Sequence, residues 1–165
     1  VTTLETARLR IRPLETGDLD AFFAITRDPD AMRLMDDGQP LTRERTEEWI
    51  QVSQRNYALH SRGCMAVLER TTGAFIGFCG LVANGDQSRI ELVYALRPSA
   101  SGRGYATESA RAMLEYGATL MDTIYATVYP QNTASLRVLE KLGFKQIHVA
   151  DDGVVHFAFT TGGQA

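Results

Sequence analysis

The 165-residue sequence has only two cysteines, Cys64 and Cys79, three scattered histidines, His60, His148 and His156, and no Cys-x-x-Cys spacing. That scarcity argues against a disulfide framework and against a His/Cys metal centre, so no metal is expected. Both cysteines fall in apolar, strand-like segments, where a thiol serves as a small hydrophobe. No apolar run approaches the ~20 residues of a membrane span. The segment Val1 to Arg12 also lacks the apolar stretch of a secretory signal, so a cytoplasmic location without membrane attachment is the expectation. Positive charge is not in excess: 17 Lys and Arg stand against 20 Asp and Glu, for a net charge of −3. A nucleic-acid partner is therefore not expected, because coating phosphates needs a surplus of cations on one face. Arg8, Arg10, Arg12, Arg43 and Arg45 are interleaved with acids, and most of them read as solvated surface. Repeats, low-complexity segments and linkers are missing too, and the length suits one domain, 1–165, with 160–165 as a frayed tail.

What is present alternates in period. Arg8 to Arg12 alternates polar and apolar residues as a half-buried strand does, limited by Pro13. Asp18 reads as the cap of a helix carrying Leu19, Phe22, Phe23 and Ile25, and a short helical piece follows with Met32 and Met35. Thr42 then caps a longer helix through Trp49, Ile50 and Tyr57. Trp49 reads as a core or rim anchor; lining an acceptor pocket is the less favoured reading. Cys64 to Glu69, Ala74 to Leu81 and Ile90 to Leu96 form an antiparallel meander through turns at Thr72-Gly73 and Asn84-Gly85-Asp86. A helix begins near Tyr105, with Gly117 allowing close packing near its end. The strand Thr123 to Tyr129 follows, so this unit is a parallel crossover. Asn132 starts a last helix that ends at Gly143, and a hairpin around Asp151-Asp152-Gly153 closes the chain. The fold class is α+β: a mostly antiparallel sheet of six to seven strands with one parallel β-α-β crossover and about four helices.

Between the strand at Ile90 to Leu96 and the helix at Tyr105 lies Ser101-Gly102-Arg103-Gly104-Tyr105-Ala106-Thr107-Glu108. Glycines beside a helix start let the backbone approach an anion, and the free N–H groups of the first turn can hold it. A plain chain reversal is the competing reading. The meander contradicts a doubly wound nucleotide fold, a dinucleotide fingerprint wants glycine or alanine where Thr107 stands, and the Gly-Lys-Ser/Thr of a nucleotide phosphate loop is absent. Glu108 sits in the first helical turn, where the dipole alone explains an acid.

The ordered set Ile90-Glu91-Leu92-Val93-Tyr94-Ala95-Leu96, Ser101 to Glu108, and Asn132-Thr133-Ala134-Ser135-Leu136-Arg137-Val138-Leu139-Glu140-Lys141-Leu142-Gly143-Phe144 resembles the GCN5-related N-acetyltransferases (GNAT). Within that family it is most like the branch of the ribosomal-protein alanine N-acetyltransferases. The resemblance covers nearly the whole chain. It implies acetyl-CoA as cosubstrate and an amine acceptor, a protein N-terminus or a small amine, in a monomer or homodimer. The N–H groups of Gly102, Arg103, Gly104, Tyr105, Ala106 and Thr107 would then cradle the pyrophosphate, with the Arg103 side chain either on a cofactor phosphate or in solvent. Backbone groups of Val93, Tyr94 and Ala95 would bind the pantetheine arm where this strand splays from its parallel neighbour, and Asn132 would contact the same arm.

The reaction implied is direct attack of an amine on a thioester. An α-amine with pKa ~8 is mostly protonated at neutral pH, so a base is needed. Glu91, on a small, apolar strand face where a carboxylate's pKa is expected to rise, is the candidate; an ion pair with Arg89 or a neighbouring-strand partner is the alternative. Many members carry Arg, Gln or Trp where Ser101 stands, and many carry a tyrosine at the position of Leu139 to protonate the departing thiolate. In the ribosomal-protein branch a serine three residues after the motif asparagine is assigned that task, and Ser135 occupies its place. The expected function is acetyl transfer to a primary amine; a small-molecule acceptor or a non-catalytic acyl-CoA-binding module are the alternatives.

Overall fold

The strand Leu9–Pro13 buries Leu9 and Ile11 and exposes Arg10, the alternation its sequence demands. The fold is described from a computed structural model that describes residues 2–33, 35, 38–85 and 87–162. The order is β1 (Leu4–Glu5), β2 (Leu9–Pro13), α1 (Leu19–Thr26), α2 (Pro29–Met32), α3 (Arg43–His60), β3 (Cys64–Glu69), β4 (Phe75–Ala83), β5 (Ile90–Leu96), α4 (Tyr105–Gly117), β6 (Thr123–Val128), α5 (Thr133–Leu142), β7 (Lys145–Val149) and β8 (Val155–Thr160). Single 3-10 turns at Thr16–Asp18 and Pro98–Ala100 precede α1 and the glycine turn.

The strands form one sheet in the order β1-β2-β3-β4-β5-β6-β8-β7, antiparallel except between β5 and β6. The mixed architecture is the one expected. Eight strands replace six to seven because the two-residue β1 pairs with β2, and two residues carry no readable alternation. Among the described residues no helix is long and apolar enough to cross a membrane.

Each sheet face has its own core. Leu9, Ile11, Met65, Val67, Cys79, Leu81 and Leu92 pack under α4 and α5. Ala66, Phe78 and Ala95 pack under α1 and α3 through Phe22, Ile25 and Ile50. Trp49 meets Phe78 edge-on, centroids 5.9 Å apart, and lies 6.0 Å from Phe22, the rim-anchor placement. At Gly117 a Cβ would stand 2.6 Å from Ile124 Cδ1 and 2.8 Å from Leu81 Cδ1, so any larger residue would have to displace the ends of two core side chains where α4 approaches the sheet.

The helix caps follow local chemistry. Thr42 Oγ1 accepts from the Arg45 amide at 3.2 Å, Asn132 Oδ1 accepts from the Ser135 amide at 3.1 Å, and Gly143 closes α5 at φ 90°. Asp18 departs from its expected role. It makes no cap bond to α1; its carboxylate instead accepts from the two terminal guanidinium nitrogens of Arg12, each at 2.8 Å, and from the Glu15 amide at 2.7 Å. Arg12 is therefore not solvated surface. Nor is 160–165 wholly a frayed tail: Thr160 ends β8, and Thr161 bonds Asp122 and Met121 carbonyls at 2.8 and 2.7 Å. Residues 163–165, and Asp86 of the expected turn, lie outside the described residues.

Candidate active site

Parallel pairing of β5 with β6 is confined to Glu91 opposite Tyr125. Beyond that rung the strands part, and a cleft of about 270 Å³ opens between them. It is lined by Glu91, Val93 and Tyr94 of β5, by Thr127, Val128 and Tyr129 along β6 and just beyond it, and by Asn132, Ser135 and Leu139 at the start of α5. Met35 and Val154 complete its rim, one from the connection after α2 and one from the closing hairpin.

The two walls differ because strand side chains alternate. Leu92 and Tyr94 belong to the face under α4 and α5, and Ala95 to the face under α1 and α3. Glu91 and Val93 share the face of Ala95. The cleft thus passes through the sheet, with a carboxylate on one side and the start of α5 on the other. No ion pair joins Glu91 among the described residues; the Arg89 guanidinium lies over the Tyr125 ring, 4.6 Å from its centroid. The alternative reading of Glu91 as the partner of Arg89 is therefore not the arrangement found.

Across the cleft, Ser135 is fixed by two bonds. Its amide donates to Asn132 Oδ1, and its Oγ accepts from the Tyr94 hydroxyl at 3.1 Å. Leu139 is 1 % exposed and presents only hydrocarbon at the position where a tyrosine would offer a hydroxyl.

The glycine turn lies where β5 leads into α4. Gly102 and Gly104 have φ of 76° and 80°, conformations that side chains other than glycine rarely adopt. Unlike α3 and α5, α4 has no side-chain cap, so its first-turn N–H groups are not claimed by one. Residues 101–104 are exposed. Free N–H groups, left-handed glycines and a helix N-terminus fit a pyrophosphate. Among the described residues no cluster of three or more His, Cys, Asp or Glu side chains is placed to hold a metal.

Glu108 does more than meet the helix dipole. It receives the Thr6 hydroxyl at 2.6 Å, the Arg8 amide at 2.9 Å and Arg8 Nε at 2.7 Å. Arg8 in turn donates to the Arg103 carbonyl at 2.9 Å and covers the Tyr105 ring at 4.3 Å. Arg8 is exposed yet engaged: it ties the glycine turn to the sheet edge. Burial pushes the Glu108 carboxyl up, but the bonds from Thr6 and Arg8 outweigh it and hold it below its ordinary 4.5. A depressed carboxyl stabilises the fold above its unfolded value, and that contribution is lost as pH falls through the folded value. Glu108→Gln is expected to raise KM for a bound anionic ligand about three- to tenfold with little change in kcat, since one charge-assisted bond in a half-exposed pair contributes about 1 kcal/mol. Its melting temperature should fall below wild type at pH 7, and the gap should narrow as the pH is lowered below the ordinary carboxylate value of 4.5.

Of the residues expected at the site, Glu91, Val93, Tyr94, Asn132 and Ser135 share the cleft, while Gly102 to Thr107 lie apart from it in the turn and helix start beyond β5. The Ala95 side chain packs into the α1 and α3 core, while the contact expected of Ala95 belongs to its backbone. The Tyr94 side chain, Arg8, Thr127 of β6 and Tyr129 just beyond that strand were missed as contributors. For Tyr94 the signal was available: by alternation it shares the helix-covered face with Leu92.

The chain matches the family model described as Acetyltransferase (GNAT) domain over residues 8–145. It is 34 % identical over 147 residues to the uncharacterized protein YkkB of Bacillus subtilis (strain 168), covering 86 % of this chain and 84 % of that one. It is 25 % identical over 140 residues to the spermidine N(1)-acetyltransferase of Escherichia coli (strain K12), covering 82 % and 72 %. Among solved structures, the ribosomal L7/L12 alpha-N-protein acetyltransferase RimL in complex with coenzyme A superposes with a TM-score of 0.82 over 96 % of this chain and 98 % of that one. Its identity is 15 %, a likeness of fold.

Proposed function

The chain belongs to the GNAT acetyltransferase family, and from that premise we propose that it transfers acetyl from acetyl-CoA to a primary amine, with a protein N-terminal α-amine as acceptor. The observation that carries the reading is the cleft between β5 and β6, with the Glu91 carboxylate on one side and the Ser135 hydroxyl on the other. Acetyl-CoA supplies an acetyl group already activated as a thioester. The backbone from Gly102 to Thr107 holds its pyrophosphate, Arg103 stands beside that cradle, and the parted edge of β5 at Val93, Tyr94 and Ala95 receives the pantetheine arm. Asn132 lies along the same path.

Glu91 takes the proton from the incoming ammonium, directly or through one water, so that the nitrogen presents a lone pair. Ser135, on the opposite side, donates its hydroxyl hydrogen toward the departing sulfur. Amine entry and thiol departure then occupy opposite sides of the sheet.

The similarity to a spermidine acetyltransferase supports a second reading, in which the acceptor is a small polyamine. Incubating the protein with acetyl-CoA and a panel of peptide N-termini, internal lysines and small amines, while following thiol release and the mass of each amine, separates the two. Acetylation of peptide N-termini above all others is the expected result. Preferential acetylation of polyamines would replace the acceptor, and CoA binding without acetylation of any amine would favour a non-catalytic acyl-CoA module.

A further inference from the structure

Tyr94 lines the cleft, yet no step above uses its side chain. Its hydroxyl reaches from β5 to α5 and donates to Ser135 Oγ at 3.1 Å, a contact between residues 41 apart in sequence. Burial pushes the phenol up to about 12. It therefore keeps its proton at neutral pH and remains a donor. A serine oxygen that accepts from a phenol has its own single hydrogen left to direct elsewhere. Its backbone is pinned as well, because the Ser135 amide is held by Asn132.

We infer that Tyr94 is a positioning residue: its hydroxyl occupies one lone pair of Ser135 Oγ and turns the serine hydrogen into the cleft, toward the sulfur that leaves. The inference rests on the acyl-transfer reading above. In that step the ammonium first gives one proton to Glu91, which passes it to water; the C–N bond then forms, the C–S bond breaks with its electron pair staying on sulfur, and the second nitrogen proton leaves to water as the amide forms. An ordinary thiol has a pKa of ~8.5, far below that of the Tyr94 phenol. Proton transfer from the phenol to the thiolate is uphill, so Tyr94 is not the acid. The sulfur departs as a thiolate held by the Ser135 hydroxyl and takes its proton later from solvent. A hydroxyl that accepts one hydrogen bond donates a stronger one, so the chain Tyr94 to Ser135 to sulfur holds the charge better than Ser135 alone. Leu139 contributes no donor, and the polar side chains on that wall are those of Tyr94, Ser135 and Asn132.

The test compares Tyr94→Phe, Ser135→Ala and the double variant with two donors, acetyl-CoA and its selenoester analogue. The selenol is the more acidic leaving group and needs less stabilisation. With acetyl-CoA, Tyr94→Phe is expected to lower kcat about tenfold with KM for the donor within about twofold, the effect of one lost hydrogen bond. With the selenoester the loss should shrink to about twofold or less. The double variant should be no slower than Ser135→Ala alone, because Tyr94 acts only through the serine. The ratio between donors is taken within one preparation, so loss of folded protein cancels from it. A Ser135→Ala enzyme as fast as wild type would overturn the placement of Ser135 at the sulfur. A slow Ser135→Ala with an unaffected Tyr94→Phe would overturn only the role of Tyr94. So would a Tyr94→Phe defect equal for both donors, or additive losses in the double variant.

Discussion

Glu91→Gln is expected to lower kcat by about 10²–10⁴-fold while leaving the stabilisation by CoA intact. Glutamine has the shape of glutamate and cannot take a proton. The cleft keeps its lining, and only the removal of the amine's proton is lost. Because an α-amine has a pKa of ~8, the free-base fraction grows as pH rises, and the defect should narrow toward pH 9. The measurement is kcat against pH for wild type and variant, with a thermal shift by CoA as control. Equal kcat in both proteins would remove Glu91 from the chemistry, and a lost thermal shift would show that the carboxylate serves binding instead.

Gly104→Val acts at the other end of the ligand. Gly104 sits at φ 80° as the residue that opens α4, and a Cβ there would lie 3.4 Å from Arg8 Nη2. A β-branched residue is strained in that region, at a cost of about 1–3 kcal/mol. Relief of the strain requires the peptide to turn, which rotates N–H groups away from the pyrophosphate and pushes on the Arg8 guanidinium. Losing two charge-assisted bonds, at about 1.5–3 kcal/mol each, is expected to raise KM for acetyl-CoA by at least ~10²-fold and to abolish the thermal shift by CoA. Alanine at the same position should show a smaller defect of the same kind. A valine variant that binds CoA like wild type would mean that the turn is a chain reversal and nothing more.

How far the sequence discloses this site depends on how local each contact is. The Asn132 cap, the Gly143 stop and the glycine turn are legible because cap and turn chemistry is written within four or five residues. The β5 strand is legible because alternation places Glu91 opposite Leu92 and Tyr94. Arg8 and Glu108 are not, since they lie 100 residues apart and meet only when the β1-β2 edge packs beside α4. Glu108 has a sufficient local explanation in the helix dipole, and Arg8 looks like any arginine among acids. Asp18 misleads for the same reason: an acid before a helix reads as its cap, and only the tertiary position of Arg12 claims the carboxylate. The hydroxyl of Tyr94 was hidden behind a backbone role, because its partner on α5 comes from another motif.

A crystal structure with CoA bound tests the placement of donor and chemistry most directly. The expected result has the pyrophosphate on the N–H groups of Gly102 to Thr107. The pantetheine should run along the parted edge of β5, with its sulfur in the cleft between Glu91 and Ser135. A sulfur lying outside the opening between β5 and β6, or out of reach of both side chains, would contradict it.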